Sequence, residues 1–355
     1  MSKVRYIQRG KIGLFDQESS IDKLSKLGNP LEKLHHVIDF EMFRKDLEES
    51  MLNTNKKSAA GRKPYDVVMM FKIILLKRFY NLSDEQTEYQ INDRLSFKEF
   101  LGLSSGDNVP DARSIWLFQN RMIQNKLEEK LFAKFNSYLD SQGLIVSSGK
   151  IVDASFVEVP RQRNNKEENA KIRKGEGDDL WNENPHKKRQ KDTDARWTQK
   201  GGKRHYGYKN HIKMNERSKL IDNYIVTSAE VHDSQVLKDL IDSSDNGQEL
   251  YADSAYIGKS IKELLEKNNI TPQITNRAFR NNPLSEIEKE SNRNKSKTRS
   301  RVEHVFGFIG NSMNKSQIKS IGFERAKGVV GLINLVYNMC RYEQIVRLNL
   351  LPIKE

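Results

Sequence analysis

The 355-residue chain has one cysteine, Cys340, which excludes an internal disulfide and any zinc site built on several thiolates. A reducing compartment suits it. Long apolar runs are missing as well: the longest, Val67 to Leu76, contains Lys72 and is about half of the ~20 residues a membrane span requires. The opening Met1-Ser2-Lys3-Val4-Arg5 lacks the apolar core of a signal peptide, and no internal repeat of fixed period occurs. A soluble cytoplasmic protein with no membrane partner is expected. Acidic residues are in deficit, 48 Asp and Glu against 61 Lys and Arg, for a net charge of +13. Hydrophobic residues are only 36%, yet 15 Phe, 12 Tyr and 3 Trp exclude wholesale disorder.

Where the excess charge sits narrows the partner. Residues 161–203 and 277–301 each carry +5, so these two stretches hold most of the surplus and the rest is nearly balanced. A polyanion is the expected partner.

At roughly 100–200 residues per domain the length implies two or three. Residues 1–60 are polar and mixed, an N-terminal arm with a helix-compatible patch from Leu31 to Leu47. A basic tract (Lys56, Lys57, Arg62, Lys63) follows around Gly61, with Pro64 suited to a first helical turn. Val67, Met70, Phe71, Ile74 and Leu75 recur at helical steps, and Ser83-Asp84-Glu85-Gln86 and Ser96-Phe97-Lys98-Glu99 have the form of capping boxes. Gly102 suits a helix end and Asp111 a cap. Residues 61–145 therefore read as an all-helical domain, for DNA binding or dimerisation. Helix-turn-helix recognition over 83–125 and plain helical packing explain its periodicity equally.

From Gly149 the pattern changes to strands. Lys150 to Val159 alternates, and Arg204 to Met214 and Leu220 to Thr227 form a hairpin. Asp233 is placed to cap a helix through Ile241, Gln248 to Ala252 is a short strand, Gly258 to Lys267 is helical, and Pro272 to Thr275 is a strand. An apolar stripe over Val302 to Met313 and a long helix from Glu324 to Arg347 finish the chain. Residues 146–350 are thus a mixed α/β (α+β) domain with a basic, aperiodic insertion at 160–203.

Three acids occupy positions that the periodicity would give to apolar residues. Asp153 is mid-strand, Asp253 ends a strand, and Glu303 lies inside a helix. A buried carboxylate needs a partner, and oxygen ligands suit Mg²⁺ or Mn²⁺. Each acid also has an ordinary explanation. Asp153 fits the wet side of an edge strand, Asp253 fits a helix cap, and Glu303 fits an ion pair with Arg299 four residues earlier.

Val152-Asp153-Ala154-Ser155, Tyr251-Ala252-Asp253-Ser254-Ala255-Tyr256 and Arg299-Ser300-Arg301-Val302-Glu303-His304-Val305-Phe306-Gly307 together resemble the acid segments of bacterial insertion-sequence DDE transposases of the insertion sequence five group. His205-Tyr206-Gly207-Tyr208-Lys209, Val231-His232-Asp233-Ser234 and, in the helical part, Gly61-Arg62-Lys63-Pro64 and Asp111-Ala112-Arg113-Ser114-Ile115-Trp116 add to the likeness, which spans roughly residues 30–345. The resemblance implies an RNase H-like catalytic domain in which Asp153, Asp253 and Glu303 hold two Mg²⁺ or Mn²⁺ ions for phosphoryl transfer. It also implies a transposase that binds terminal inverted repeats and target DNA as a homodimer or higher assembly. Of the Tyr, Arg and Lys such enzymes place around the Glu, only Arg299 is matched; Ser296 and Gly310 stand at the other two positions, with Lys315 a substitute for the Lys. Arg204, His205, Lys209, Arg301 and, in the insertion, Lys187, Lys188 and Arg189 are the further candidates for DNA contact. An RNase H-like nuclease or resolvase, and a transposase-derived DNA-binding protein without strand transfer, remain the alternatives.

Overall fold

The structure, a computed structural model, describes residues 13, 15–52, 63–104, 106–145, 148–278, 283–313 and 317–351. Lys56, Lys57, Gly61, Arg62 and Lys315 lie outside them.

The helical region contains α1 (Asp16–Lys26), α2 (Pro30–Val37), α3 (Arg44–Met51), α4 (Val67–Phe79), α5 (Asp84–Asp93), α6 (Leu95–Leu101), α7 (Ala112–Gln124) and α8 (Leu127–Ser141). Helix α4 starts at Asp66, not Pro64: the carboxylate accepts from Met69 N at 2.9 Å and pairs with Arg44 at 2.7 Å, joining α3 to α4. Ser83 and Gln86 form the expected capping box and Asp111 the expected cap. The Ser96 box does not form, because α6 already begins behind Arg94, although Gly102 ends it in the left-handed region at φ 72°. Helices α2 and α3, from the stretch expected to be an arm, bury Leu31, Leu34 and Leu47 in the same core as α4 and α8.

One mixed sheet follows, with β1 (Lys150–Glu158), β2 (Arg196–Lys200), β3 (Lys203–Asn215), β4 (Ile221–Ser228), β5 (Glu249–Ala252) and β6 (Thr271–Ile274). Strand β1 is central, antiparallel to β3 and parallel to β5, which pairs with β6. Strands β2 and β4 line successive stretches of β3. This is the RNase H-like arrangement that the resemblance implied, a mixed α/β domain behind a helical region. The insertion between β1 and β2 is built rather than loose, containing α9 (Lys166–Arg173) and α10 (Pro185–Lys188). Asp192 anchors it. Its two oxygens accept from Tyr208 Oη at 2.7 and 2.8 Å, from the backbone N–H of Asp194 and Ala195 at 3.0 and 2.9 Å, and from Gly322 N at 3.0 Å.

Alternation along β1 sends Ile151 and Val152 to opposite faces, and each face has its own core. Ile151, Ile212 and Met214 join the large core shared with α4 and α8, whereas Val152 and Leu250 pack with α11 (Leu237–Leu240) and α12 (Lys259–Lys267). Helices α13 (Glu286–Arg299) and α14 (Val302–Gly307) lead to the 25-residue α15 (Phe323–Arg347), most of which is buried. At Gly328 an added Cβ would lie 2.6 Å from Ile123 Cγ1, so glycine lets α15 lie close to α7. No helix among the described residues is long and apolar enough to cross a membrane.

Amides key these parts together. Asn210 on β3 and Asn334 on α15 exchange hydrogen bonds at 2.9 and 3.2 Å. Asn338 accepts from Ile221 N at 2.9 Å and donates to Asn136 Oδ1 at 2.9 Å, and Asn136 in turn donates to Ile221 O at 2.9 Å. All four asparagines are buried.

Glu128 at the start of α8 is 2% exposed, and burial pushes its carboxyl up to about 7. Folding therefore favours the protonated form. Any contribution it makes is intact below the ordinary carboxyl range and is lost as pH rises toward 7. Glu128→Gln is expected to flatten that decline and to gain stability at pH 8, by up to ~3 kcal/mol. Urea unfolding of both proteins at pH 5 and pH 8 checks it; an equal loss at both pH values would contradict it.

Candidate active site

The pairing of β1 with β5 sets the site. Ile151 is level with Tyr251 in a parallel ladder, and continuing that register by two residues brings Asp153 level with Asp253. Adjacent strands are about 4.8 Å apart and residues two apart share a face, so the carboxyls leave the sheet on the same side. Asp253 ends β5 because its side chain turns back to accept from Ala255 N at 2.8 Å, capping a short 3₁₀ turn, Ser254–Tyr256. The cap expected for Asp253 is real, and it does not remove the carboxylate from its neighbour.

Asp153 is partly buried. One oxygen accepts from Ala154 N at 2.8 Å and the other from Arg299 Nη1 at 2.8 Å. Burial pushes its carboxyl above the ordinary value and nearby Asp253 adds to that push, against the pull of Ala154 N–H, Arg299 and Lys200. A buried acid beside a second acid, with a guanidinium as the close counter-charge, is the electrostatic setting a divalent cation would relieve. Both acids supply hard oxygen donors, which fit Mg²⁺ or Mn²⁺ and not zinc.

Glu303 does not join them. It is exposed on α14, beside a cavity lined by Arg301, His304, Tyr337 and Arg341, and among the described residues no three His, Cys, Asp or Glu side chains are grouped so that they could hold a metal ion. Arg299, the residue available to pair with Glu303, reaches Asp153 instead.

The remaining candidates divide by burial. Lys209 is 8% exposed and spent inside, donating to Val231 O at 2.7 Å and to Asp233 at 2.8 Å. On the same face of β3, His211 bonds Thr227 at 2.9 Å and Lys213 bonds Asp242 and Asp245 at 2.6 and 2.7 Å. The basic side of that strand thus meets the acids of the following connection and is not a DNA-facing stripe. Asp233 is correspondingly an ion-pair partner; His232 caps a short turn, Asp233–Gln235, and the helix expected there shortens to α11. His205 stacks on Phe156 with ring centres 4.1 Å apart and bonds Glu158 at 3.0 Å. Arg301 pairs with Glu216 at 2.5 Å. Lys187 holds Glu168 at 2.7 Å and lies over the Trp181 ring, and Lys188 bonds Asp178 O at 2.6 Å. Arg189 and Arg204 are exposed.

Sequence reasoning missed Tyr256. It is fully buried, its hydroxyl has no hydrogen-bond partner among the described residues, and burial together with Asp233, Asp153 and Asp253 holds its phenol well above the ordinary value. The signal was its place three residues after Asp253.

Residues 146–339 match the family described as Transposase DDE domain, and residues 19–121 match Transposase domain (DUF772). Among solved structures, the cryo-EM structure of the piggyBac transposase synaptic complex with hairpin DNA is 12% identical; 92% of this chain and 77% of that chain are covered, at a TM-score of 0.44.

Proposed function

We propose that this chain, which belongs to the family of transposases with a DDE domain, cuts DNA at the terminal inverted repeats of its own insertion sequence and joins the freed ends to target DNA. The observation that carries the reading is the parallel pairing of Ile151 with Tyr251, two residues before Asp153 and Asp253, with Asp253 near enough to raise the Asp153 carboxyl, inside the matched segment. A divalent ion held by Asp153 and Asp253, Mg²⁺ or Mn²⁺, would supply Lewis acidity to the attacking and leaving oxygens of a phosphodiester.

The bond changes need no protein nucleophile. Water adds to phosphorus while the P–O3′ bond breaks, releasing a 3′-hydroxyl at the element end. That hydroxyl then forms a new P–O bond in the target as the target's own 3′-oxygen leaves with a proton. One ester is exchanged for another, so strand joining consumes no energy source. Arg299, already seated on Asp153, would steady the phosphate there. Glu303 is retained as the third acid on the family resemblance alone.

The test incubates the protein and Mg²⁺ with element-end duplexes and target DNA, and looks for end-to-target products through a 3′-oxygen. Cutting without joining would favour the nuclease alternative. Arg299→Ala is expected to slow joining about 10–100-fold, the range for a residue supporting a ligand; an unchanged rate in a single-turnover assay would remove it from the site.

A further inference from the structure

We propose that a cavity between the C-terminal end of α4 and the segment entering α15 is an anion site that takes a phosphate group. The cavity measures about 240 Å³, and Lys77, Arg78, Asp84, Gln119, Lys319 and Arg325 are among its lining residues. Lys77 and Arg78 are consecutive, and only 5% and 7% exposed. Asp84 is the carboxylate that meets them, and it is held by Lys77. Arg78 has no ion pair among the described residues. Its Nη2 donates to Gln119 Oε1 at 2.7 Å, the same neutral oxygen that Lys77 takes at 2.8 Å, and its buried Nε has no partner.

A buried guanidinium normally faces a carboxylate or another anion, because an unpaired charge away from water is costly. Here two adjacent cations share one amide oxygen and one acid. The strain shows in their protonation: burial and the neighbouring Arg78 bring Lys77 down to about 8, and burial brings Arg78 down to about 10. Lys319 and Arg325, both exposed, add two more positive charges to the lining. A tetrahedral oxyanion would give Arg78 its missing partner and cancel the excess. Trp116 also lines the cavity and is 45% exposed. The group is a phosphate, carried by DNA or free in solution. Its assignment to DNA rests on the function proposed above, whereas the anion site rests on its own residues.

Thermal unfolding of the full chain, without divalent ions and at matched ionic strength, tests the site with inorganic phosphate against chloride. Phosphate is expected to raise the midpoint by several degrees, and Lys319→Ala with Arg325→Ala to reduce that rise at least threefold. Arg78→Met separates a ligand-binding arginine from a structural one. Removing a buried charge that lacks its anion should raise the midpoint in chloride and abolish the response to phosphate; if that variant does not fold, the Lys319 and Arg325 pair carries the test. Titration of element-end and unrelated duplexes then identifies the source. A similar loss of affinity on both, with the slope of log K against log salt reduced by about one or two, assigns the phosphate to the DNA backbone. A phosphate response with unchanged DNA binding supports the anion site and overturns its assignment to DNA. No difference between phosphate and chloride in the wild-type chain overturns the site itself, and it does so whatever the outcome of strand joining.

Discussion

Asp153→Asn and Asp253→Asn should each reduce strand joining by at least about 10³-fold, beyond the 10–100-fold typical of residues that only support a metal ligand. Asparagine keeps the shape and one oxygen but removes the charge that a divalent ion requires. Folding should survive. Burial already disfavours ionised Asp153, and Asn is as good a cap as Asp for the turn after Asp253. DNA binding should hold or tighten slightly, since each substitution removes a negative charge facing phosphate. A joining assay with a filter-binding control separates chemistry from binding; either variant joining within tenfold of wild type would sink the assignment. Glu303→Gln belongs in the same series. A loss as deep as that of the aspartates would mean Glu303 meets them in the DNA-bound state, whereas near-normal joining would leave the chemistry to the strand pair.

Asp192→Ala is expected to cost about 1–3 kcal/mol of stability, the range for leaving buried hydrogen-bond donors without their acceptor. The carboxylate is 2% exposed and has no ion pair among the described residues, so Tyr208 Oη and three backbone N–H groups take the place of its water. Alanine would leave all four donors without this acceptor, those of Tyr208 and Ala195 in the buried interior. Urea unfolding should show a lower midpoint with an unchanged slope, and the insertion should become easier to cleave by protease. A loss below 1 kcal/mol would show that water replaces the carboxylate and that the anchor is weak.

These two sites differ in how much of them could be read in advance. Asp153 and Asp253 were visible because strand periodicity makes a charge at an apolar position conspicuous, and the 100-residue spacing is also the β1–β5 register offset. Asp192 was invisible: it lies in a polar stretch with no period, and its partners Tyr208 and Gly322 are 16 and 130 residues away. Lys209 was misread for a related reason. Alternation says which residues share a face, not whether that face meets water or the acids of a later connection. The two capping boxes have the same form, and context decided between them, since α6 starts one residue ahead of Ser96. At Glu303 it is the ordinary explanation that fails, because the Arg expected to pair with it pairs with Asp153.

The buried asparagines have a further consequence for modularity. Two family descriptions meet this chain at residues 19–121 and 146–339, as if it were two exchangeable parts. Yet Asn136 belongs to α8, before the second part, and its amide completes a circuit through β4 to Asn338 on α15. A chain cut after residue 145 would keep the pairing of Asn338 with Ile221 N and O but would strip both of Asn136, and would uncover the apolar side of α15. Swapping the front half for that of a relative would succeed only if α8, β4 and α15 travelled together. The inseparable piece is thus scattered along the chain, and its unfolding should be one event.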